Sequence, residues 1–277
     1  MADHAAFHAA VLAAPEDDFP RLIYADWLDE QGDPRGQFIR LQIAAHAGDS
    51  EAEESAQALE KEHGRTWAGR LASWAYKIGF SRGFPDSIVI RGDDFLGHVA
   101  AIFRLAPIRK LTLIQTREPL RHILRMPHLA NLTSLHLTGC GLADREAQKL
   151  ADCQYLTTLR SLRLGNNEIG CSGAAALAAS EQLQGLHTLD LANNDVGDWG
   201  ARSLAGTRTL TRLEQLDLSG NAIGSGGEGS LRRSPAFAAT HVILDGQRQL
   251  GGWQRNVKAA LLGSCDSETS SYHCESA

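Results

Sequence analysis

The sequence lacks the features that mark several classes of protein. Its 277 residues include only 2 methionines, and aromatic residues make up 6% of it. No stretch approaches the roughly 18 apolar residues that a membrane-spanning helix needs, so we expect no membrane contact. There is no Lys/Arg-rich block, and 27 basic against 33 acidic residues give a net charge of -6. Such a chain is poorly suited to binding a phosphate backbone, which disfavours nucleic acid as a partner.

Cysteine use predicts a reducing compartment. The 5 cysteines are odd in number and form no close-spaced pairs, which favours free thiols over a disulfide framework. The sequence opens without a basic segment followed by an apolar run, so no signal peptide is expected. A cytoplasmic location is therefore expected. Hydrophobic residues make up 43% of the chain, which is enough to bury a core.

The second half of the chain repeats with a period of 27 residues. Four blocks read LTSLHLTGCGL, LRSLRLGNNEI, LHTLDLANNDV and LEQLDLSGNAI, and they begin at residues 132, 159, 186 and 213. The leucines of each block alternate with polar residues, which predicts a short strand with its leucines facing inward. Asn167, Asn194 and Asn221 mark the turn after the strand. There an amide can both donate to and accept from the backbone of the turn and of the neighbouring repeat, and Cys140 takes the same position in the first copy.

The second half of each unit predicts a helix. Small residues run through GAAALAAS (173–180) and GARSLAGT (200–207) and leave one apolar face. The helices are expected to begin at the cap-like residues Asp144, Asp198 and Ser225. Parallel strands joined by such helices stack into a solenoid in which each unit buries its apolar face against its neighbours.

The repeats resemble the ribonuclease-inhibitor-like class of leucine-rich repeats. The pattern LxxLxLxxNxIGxxGAxxL is met almost fully at 159–177 and 186–204. The resemblance implies an α/β solenoid, a right-handed β-α superhelix with parallel strands inside and helices outside. We expect it to occupy residues 81–245, with irregular strands near 88–90 and 111–113, a helix near 93–105, and a closing strand at 241–245. Thr240 stands where the repeat pattern predicts a leucine.

Residues 1–80 have a different pattern and predict a small all-helical unit. Helices are expected up to Pro15, over 19–28, after Asp33-Pro34, from a Ser50–Glu53 capping box to Gly64, and through Trp67, Leu71, Trp74 and Ile78. The run PEDDFPRLIYADWLDEQGDPRGQFIRLQ (15–42), with RGFP at 82–85, resembles a repeat-companion domain of bacterial, especially planctomycete, repeat proteins. That resemblance implies a bacterial origin and no catalytic residue. Residues 246–277 are expected to form a C-terminal helix or a disordered tail.

No motif in the sequence argues for catalysis. Residues 224–229 formally match a dinucleotide fingerprint, but Gly224 and Gly227 occupy ordinary repeat positions. Asp26, Asp29, Glu30 and Asp33 do not have calcium-loop spacing, and helix caps or a solvated face explain them better. No histidine pair has zinc-ligand spacing. We therefore expect no enzyme activity, no cofactor and no metal.

The side chains between the buried leucines predict the binding surface. A central column on the concave face is expected to hold Thr112, His136, Arg163, Asp190 and Asp217, with Arg163 able to pair with Asp190. Trp199, at a position where the other repeats have Arg, Ser or Gly, is either an exposed anchor at the rim or packed over a neighbouring helix.

These features predict a monomeric scaffold or regulator that binds a protein partner. Two alternatives stay open. In one, the N-terminal helices carry or regulate an enzyme activity that the repeats target. In the other, they only cap the exposed edge of the solenoid.

Overall fold

A computed structural model describes residues 2–116 and 119–247 of the chain. Four helices come first, and they are α1 (Ala2–Ala13), α2 (Phe19–Glu30), α3 (Arg35–His46) and α4 (Ser50–Ala68). They enclose a small apolar cluster of their own, built mainly from Val11, Tyr24, Leu28 and Ile39 and completed by Phe84 from the neighbouring hairpin.

Two details of this helical unit differ from the sequence-based prediction. Asp49, rather than Ser50, caps α4, and its Oδ1 accepts from the backbone N–H groups of Glu51 and Ala52. The helix also continues past Gly64 to Ala68, where Gly69 adopts φ 53° and ends it. The prediction of one helix through Trp67, Leu71, Trp74 and Ile78 was therefore wrong. The chain passes through a 3-10 turn at Gly69–Ser73 and then becomes extended.

The first strand, β1 (Lys77–Ser81), was not predicted. It pairs antiparallel with β2 (Phe84–Arg91) across a two-residue turn in which Arg82 and Gly83 both have positive φ. A Cβ at Gly83 would also lie within 2.1 Å of Ile39, so only glycine fits there. Ile78 continues the helical spacing of Leu71 and Trp74, and KIGFS is too short to show a clear strand pattern, which explains why the segment was misassigned.

The remaining strands are parallel and follow chain order in one eight-stranded sheet. The predicted strands near 88–90, 111–113 and 241–245 and the helix near 93–105 are all confirmed. The strands are β3 (Lys110–Ile114), β4 (Ser134–His136), β5 (Ser161–Arg163), β6 (Thr188–Asp190), β7 (Gln215–Asp217) and β8 (His241–Ile243). The helices are α5 (Gly92–Leu105), α6 (Leu120–Ile123), α7 (Asp144–Ala151), α8 (Cys171–Ala179), α9 (Gly197–Ala205) and α10 (Ser225–Arg232).

The repeat leucines form one continuous buried core from Leu71 to Phe237. Trp74, Ala75 and Ile78 pack against its N-terminal end, so the segment before and within β1 covers the first strands of the solenoid. The predicted α/β solenoid with preceding helices is confirmed. The predicted tail at 246–277 lies almost wholly outside the described residues. No helix among the residues described is both long enough and apolar enough to cross a membrane.

The repeat asparagines join adjacent repeats, as predicted. Asn194 Oδ1 accepts from the backbone N–H of Ile169 at 2.9 Å, and its Nδ2 donates to the carbonyls of Leu164 and Leu191, both at 3.0 Å. Asn167 and Asn221 make equivalent bonds. Each amide thus satisfies buried backbone groups of two repeats.

Gln247 takes this role after the last strand. Its Oε1 accepts from the N–H groups of Asn221 and Ile223, and its Nε2 donates to the carbonyls of Leu218 and Leu244. His241 of β8 lies opposite Gln215 of β7, and the separation between these two residues is one residue less than the 27-residue period. Gln247 follows Asn221 by the same shortened offset, so it takes the asparagine position of the last repeat.

The acidic residues at the helix starts act on the next repeat rather than on their own helix. Asp198 Oδ1 accepts from the N–H groups of Gly224 at 2.7 Å and Gly227 at 3.1 Å, at the start of α10. Asp144 does the same for α8. The prediction that Asp144 and Asp198 cap their own helices was therefore wrong, because each lies just inside its helix with its carboxylate directed at the neighbouring N-terminus.

Candidate binding surfaces

The predicted column forms a straight row across the sheet. Thr112 pairs with His136, His136 with Arg163, Arg163 with Asp190, and Asp190 with Asp217 in the parallel register. Ile243 of β8 continues the row, which sequence analysis missed because the last repeat is one residue short. Arg163 is exposed, whereas the other members of the row are half-buried.

The charges of this row are not neutralised by pairing. Arg163 and Asp190 lie in register, about 4.8 Å apart by sheet spacing, yet they form no ion pair, which corrects the predicted pairing. Asp190 Oδ1 accepts from the N–H of Ala192 and Asp217 Oδ1 from the N–H of Ser219, both at 2.9 Å. Burial raises the pKa of Asp190, and the neighbouring Asp217 raises it further.

His136 marks the less acidic half of the row. Its Nε2 lies 3.0 Å from the hydroxyl of Ser134, which belongs to the same strand. Burial lowers the pKa of His136, and the nearby Arg163 lowers it further, so the ring is neutral near pH 7. The concave surface thus changes from Arg163 with a neutral imidazole on one side to two adjacent carboxylates on the other.

The family comparison matches the same part of the chain. A family model described as Leucine Rich repeat matches residues 128–151, 155–178, 183–205 and 209–227. These segments are leucine-rich repeats. No curated protein matches the chain. An internalin from Listeria monocytogenes is 19% identical and has a TM-score of 0.28. The match covers 54% of this chain and 51% of the internalin structure, so the chain spans about half of that protein's length.

Trp199 is the third residue of α9. Its side chain is 36% exposed, and the Arg202 guanidinium carbon lies 5.0 Å from the centre of its ring. The indole is therefore partly covered by a residue of its own helix. Such a cation–π contact leaves part of the ring accessible to solvent.

Three of the four acidic candidates in the helical unit, Asp26, Asp29 and Asp33, have structural partners. Arg40 forms ion pairs with Asp26 and Asp29, the latter at 2.7 Å, and Asp33 Oδ1 accepts from the backbone N–H of Arg35 at 2.9 Å. The predicted cap is thus confirmed for Asp33, whereas the Arg40 pairs were not foreseen. In the part of the chain that is described, no group of three or more His, Cys, Asp or Glu side chains is placed to hold a metal ion.

Arginines of the helical unit fasten it to the β1–β2 turn. Arg21 donates to the carbonyls of Pro15 at 2.8 Å and Arg82 at 3.0 Å, while Arg82 donates to Pro15 and Glu16. The guanidinium groups of Arg21 and Arg35 lie 5.1 and 4.8 Å from the Phe84 ring centre. Arg21, Arg35 and Arg82 therefore hold the helices against the hairpin.

An open polar depression in the helical unit bears on the alternative in which the N-terminal helices carry an enzyme activity. It has a volume of about 330 Å³ between α3, α4 and β1, and it is lined in part by Gln42, His46, Glu53 and Glu60. Burial raises the pKa of Glu60, and Gln42 Nε2 donates to this carboxylate at 3.4 Å. The depression is open to solvent and has no hydrogen-bonded pair of nucleophile and base, so its geometry suggests no reaction.

Proposed function

We propose that this chain is a non-enzymatic scaffold or regulator that binds a protein partner through the concave face of its leucine-rich repeats. Leucine-rich-repeat domains generally act as scaffolds for protein–protein interaction, and the repeat matches support that general role. The partner-contacting residues we propose are Thr112, His136, Arg163, Asp190 and Asp217, with Trp199 at the rim.

The observation that carries this proposal is the row of charges without ion-pair partners on the concave face. Asp190 and Asp217 are neighbours in the sheet register, and like charges at such positions destabilise a sheet. Arg163 is close enough to lower the pKa of Asp190 but contributes no ion pair. A partner that supplies opposite charges would relieve this cost, and complementary charges also give an interface its specificity.

We further propose a cytoplasmic monomer with a helical unit at 1–80, a repeat domain at 81–245 and a tail at 246–277. The hairpin of β1 and β2 spans the boundary between the first two. The likeness of residues 15–42 to the repeat-companion pattern supports a bacterial, planctomycete-type origin. Neither nucleic acid nor a membrane is proposed as a partner, given the net charge of -6.

A charge-neutral triple variant tests the concave face. Arg163→Gln, Asp190→Asn and Asp217→Asn remove the charges, while the asparagines keep the oxygen that accepts from Ala192 or Ser219. Affinity capture from the source organism would compare wild type with this variant. We expect the variant to capture none of the wild-type partners. Its melting temperature should stay within a few degrees of that of wild type. Identical partners for both proteins would refute the concave-face proposal.

A further inference from the structure

The solvent-facing side of α2 carries a cluster of exposed apolar side chains, defined here as the α2 patch. Phe19 is 67% exposed, and Leu22 and Ile23 are each 38% exposed. Positions i, i+3 and i+4 of a helix share one face, so the three side chains are neighbours. Only two other large apolar side chains, Tyr76 and Trp199, are comparably exposed among the residues described.

The α2 patch is not required by the core of the helical unit. The opposite face of α2 buries Arg21, Tyr24, Ala25 and Leu28. Three adjacent large apolar side chains on one exposed helix face are unlike the scattered single residues that surfaces tolerate, and such clusters mark interaction sites. An exposed aromatic side chain with aliphatic neighbours is also the composition of an interface centre.

Acidic side chains flank the α2 patch on both sides. Glu16 and Asp17 precede it, and Asp26 and Glu30 follow it on the same helix face. The side chain of Glu16 is 65% exposed and that of Asp26 is 72% exposed. Their arginine partners are less accessible. Arg82 and Arg109, which pair with Glu16, are 11% and 21% exposed, and Arg40, which pairs with Asp26, is 38% exposed. The charge that an approaching molecule meets around the patch is therefore mainly negative.

We propose that the α2 patch docks a protein partner presenting an apolar surface flanked by Lys and Arg side chains. Charge complementarity selects this occupant, because a basic rim would meet the acids at both ends of the patch. A second copy of this chain does not fit. A two-fold symmetric contact through α2 would set the residues before the patch against those after it if the helices are antiparallel, or against their own copies if they are parallel. Both groups are acidic, so either arrangement brings like charges together. This surface is distinct from the concave face.

Two synthetic peptides test the α2 patch. One is an amphipathic helix of leucine and lysine, and the other has glutamate at every lysine position. Binding would be measured by fluorescence anisotropy at low and high salt, and the contacted residues by amide chemical shifts of the isotope-labelled full chain. We expect the Leu/Lys peptide to bind, with shifts centred on α2 and affinity falling as salt rises. The Leu/Glu peptide should bind at least about tenfold more weakly.

A triple glutamine variant gives the matched comparison. Phe19→Gln, Leu22→Gln and Ile23→Gln remove the apolar surface and keep good helix formers at exposed positions. Affinity for the Leu/Lys peptide should fall at least about tenfold, since a few central anchors carry most of the energy of an interface. Tyr76→Gln, at another exposed aromatic side chain, should leave the affinity unchanged. If the triple variant fails to fold, Phe19→Gln alone should still reduce the affinity severalfold.

Four results would overturn the proposal. They are undiminished peptide binding by the glutamine variant, equal binding of the Leu/Glu peptide, shifts centred on strands β5–β7 instead of α2, and a dimer in sedimentation that the glutamine variant dissociates. The Asp190→Asn, Asp217→Asn double variant separates the two surfaces. It should leave Leu/Lys binding at α2 intact, whatever becomes of the proposed concave site.

Discussion

Replacing Asn194 by alanine should cost more stability than any surface substitution in the repeats. The side chain is 1% exposed and lies between two successive repeats. Its removal leaves the buried N–H of Ile169 without an acceptor and takes one donor from each of two carbonyls, those of Leu164 and Leu191. No water can replace these bonds without opening the interface between the repeats.

The expected loss in the free energy of unfolding is roughly 2–6 kcal/mol. An orphaned buried N–H costs about 1–3 kcal/mol, and each lost hydrogen bond to a carbonyl adds about 0.5–1.5 kcal/mol. Asn194→Asp should cost still more. A carboxylate keeps the acceptor for Ile169, but it directs a second oxygen at two carbonyl oxygens and buries a charge without a partner.

Urea unfolding followed by far-UV circular dichroism measures these losses. Asn193→Gly provides the control, because Asn193 is exposed with φ 53°, a conformation that glycine adopts without strain. The control should stay within about 0.5 kcal/mol of wild type. A loss below about 1 kcal/mol for Asn194→Ala, or an equal loss for the control, would refute the assignment of the amide as the link between repeats.

Three further predictions follow from single contacts. Asp198→Ala should cost about 1–2 kcal/mol in urea unfolding, since it removes the cap of α10, and a neutral result would contradict capping across repeats. Asp190→Asn should be no less stable than wild type at pH 7. The folded-state pKa of Asp190 is raised, so the protonated carboxyl stabilises the fold below the unfolded pKa, and this contribution is lost as pH rises through the folded pKa. Urea midpoints measured at pH 7 and 4.5 should therefore show wild type gaining stability relative to Asp190→Asn at the lower pH. Thr207→Val should lower stability by about 1 kcal/mol because its hydroxyl donates to the preceding helix at 2.6 Å, whereas Thr207→Ser should retain most of the wild-type midpoint.

A second contact recurs with the 27-residue period but was not predicted from the sequence. Ser180, Thr207 and Ser234 donate their hydroxyls to the last carbonyls of α7, α8 and α9, and the thiol of Cys153 makes the corresponding bond to Leu124. The four residues are spaced by 27, so the signal was present in the sequence. It was missed because serine, threonine and cysteine do not look like one class of residue until their shared acceptor is known.

The sequence by itself determined the solenoid and the row of residues on its concave face. Identical spacing places each leucine against the same position of its neighbour, so one repeat predicts the next. Side-chain alternation in a strand then decides which residues face outward. The amide at Asn194 could be assigned for the same reason, because its partners recur at fixed distances along the chain.

Only the tertiary structure decided the contacts whose partners lie in another repeat or another unit. Asp198 reads locally as a cap of its own helix, and its action on α10 depends on how closely two repeats stack. The role of Gln247 depends on β8 being one residue short, and that of Arg82 on the hairpin meeting the helical unit. Local sequence patterns predict the conformation of a segment because the interacting residues are close along the chain. The partners of these side chains are distant in sequence, and only packing brings them together.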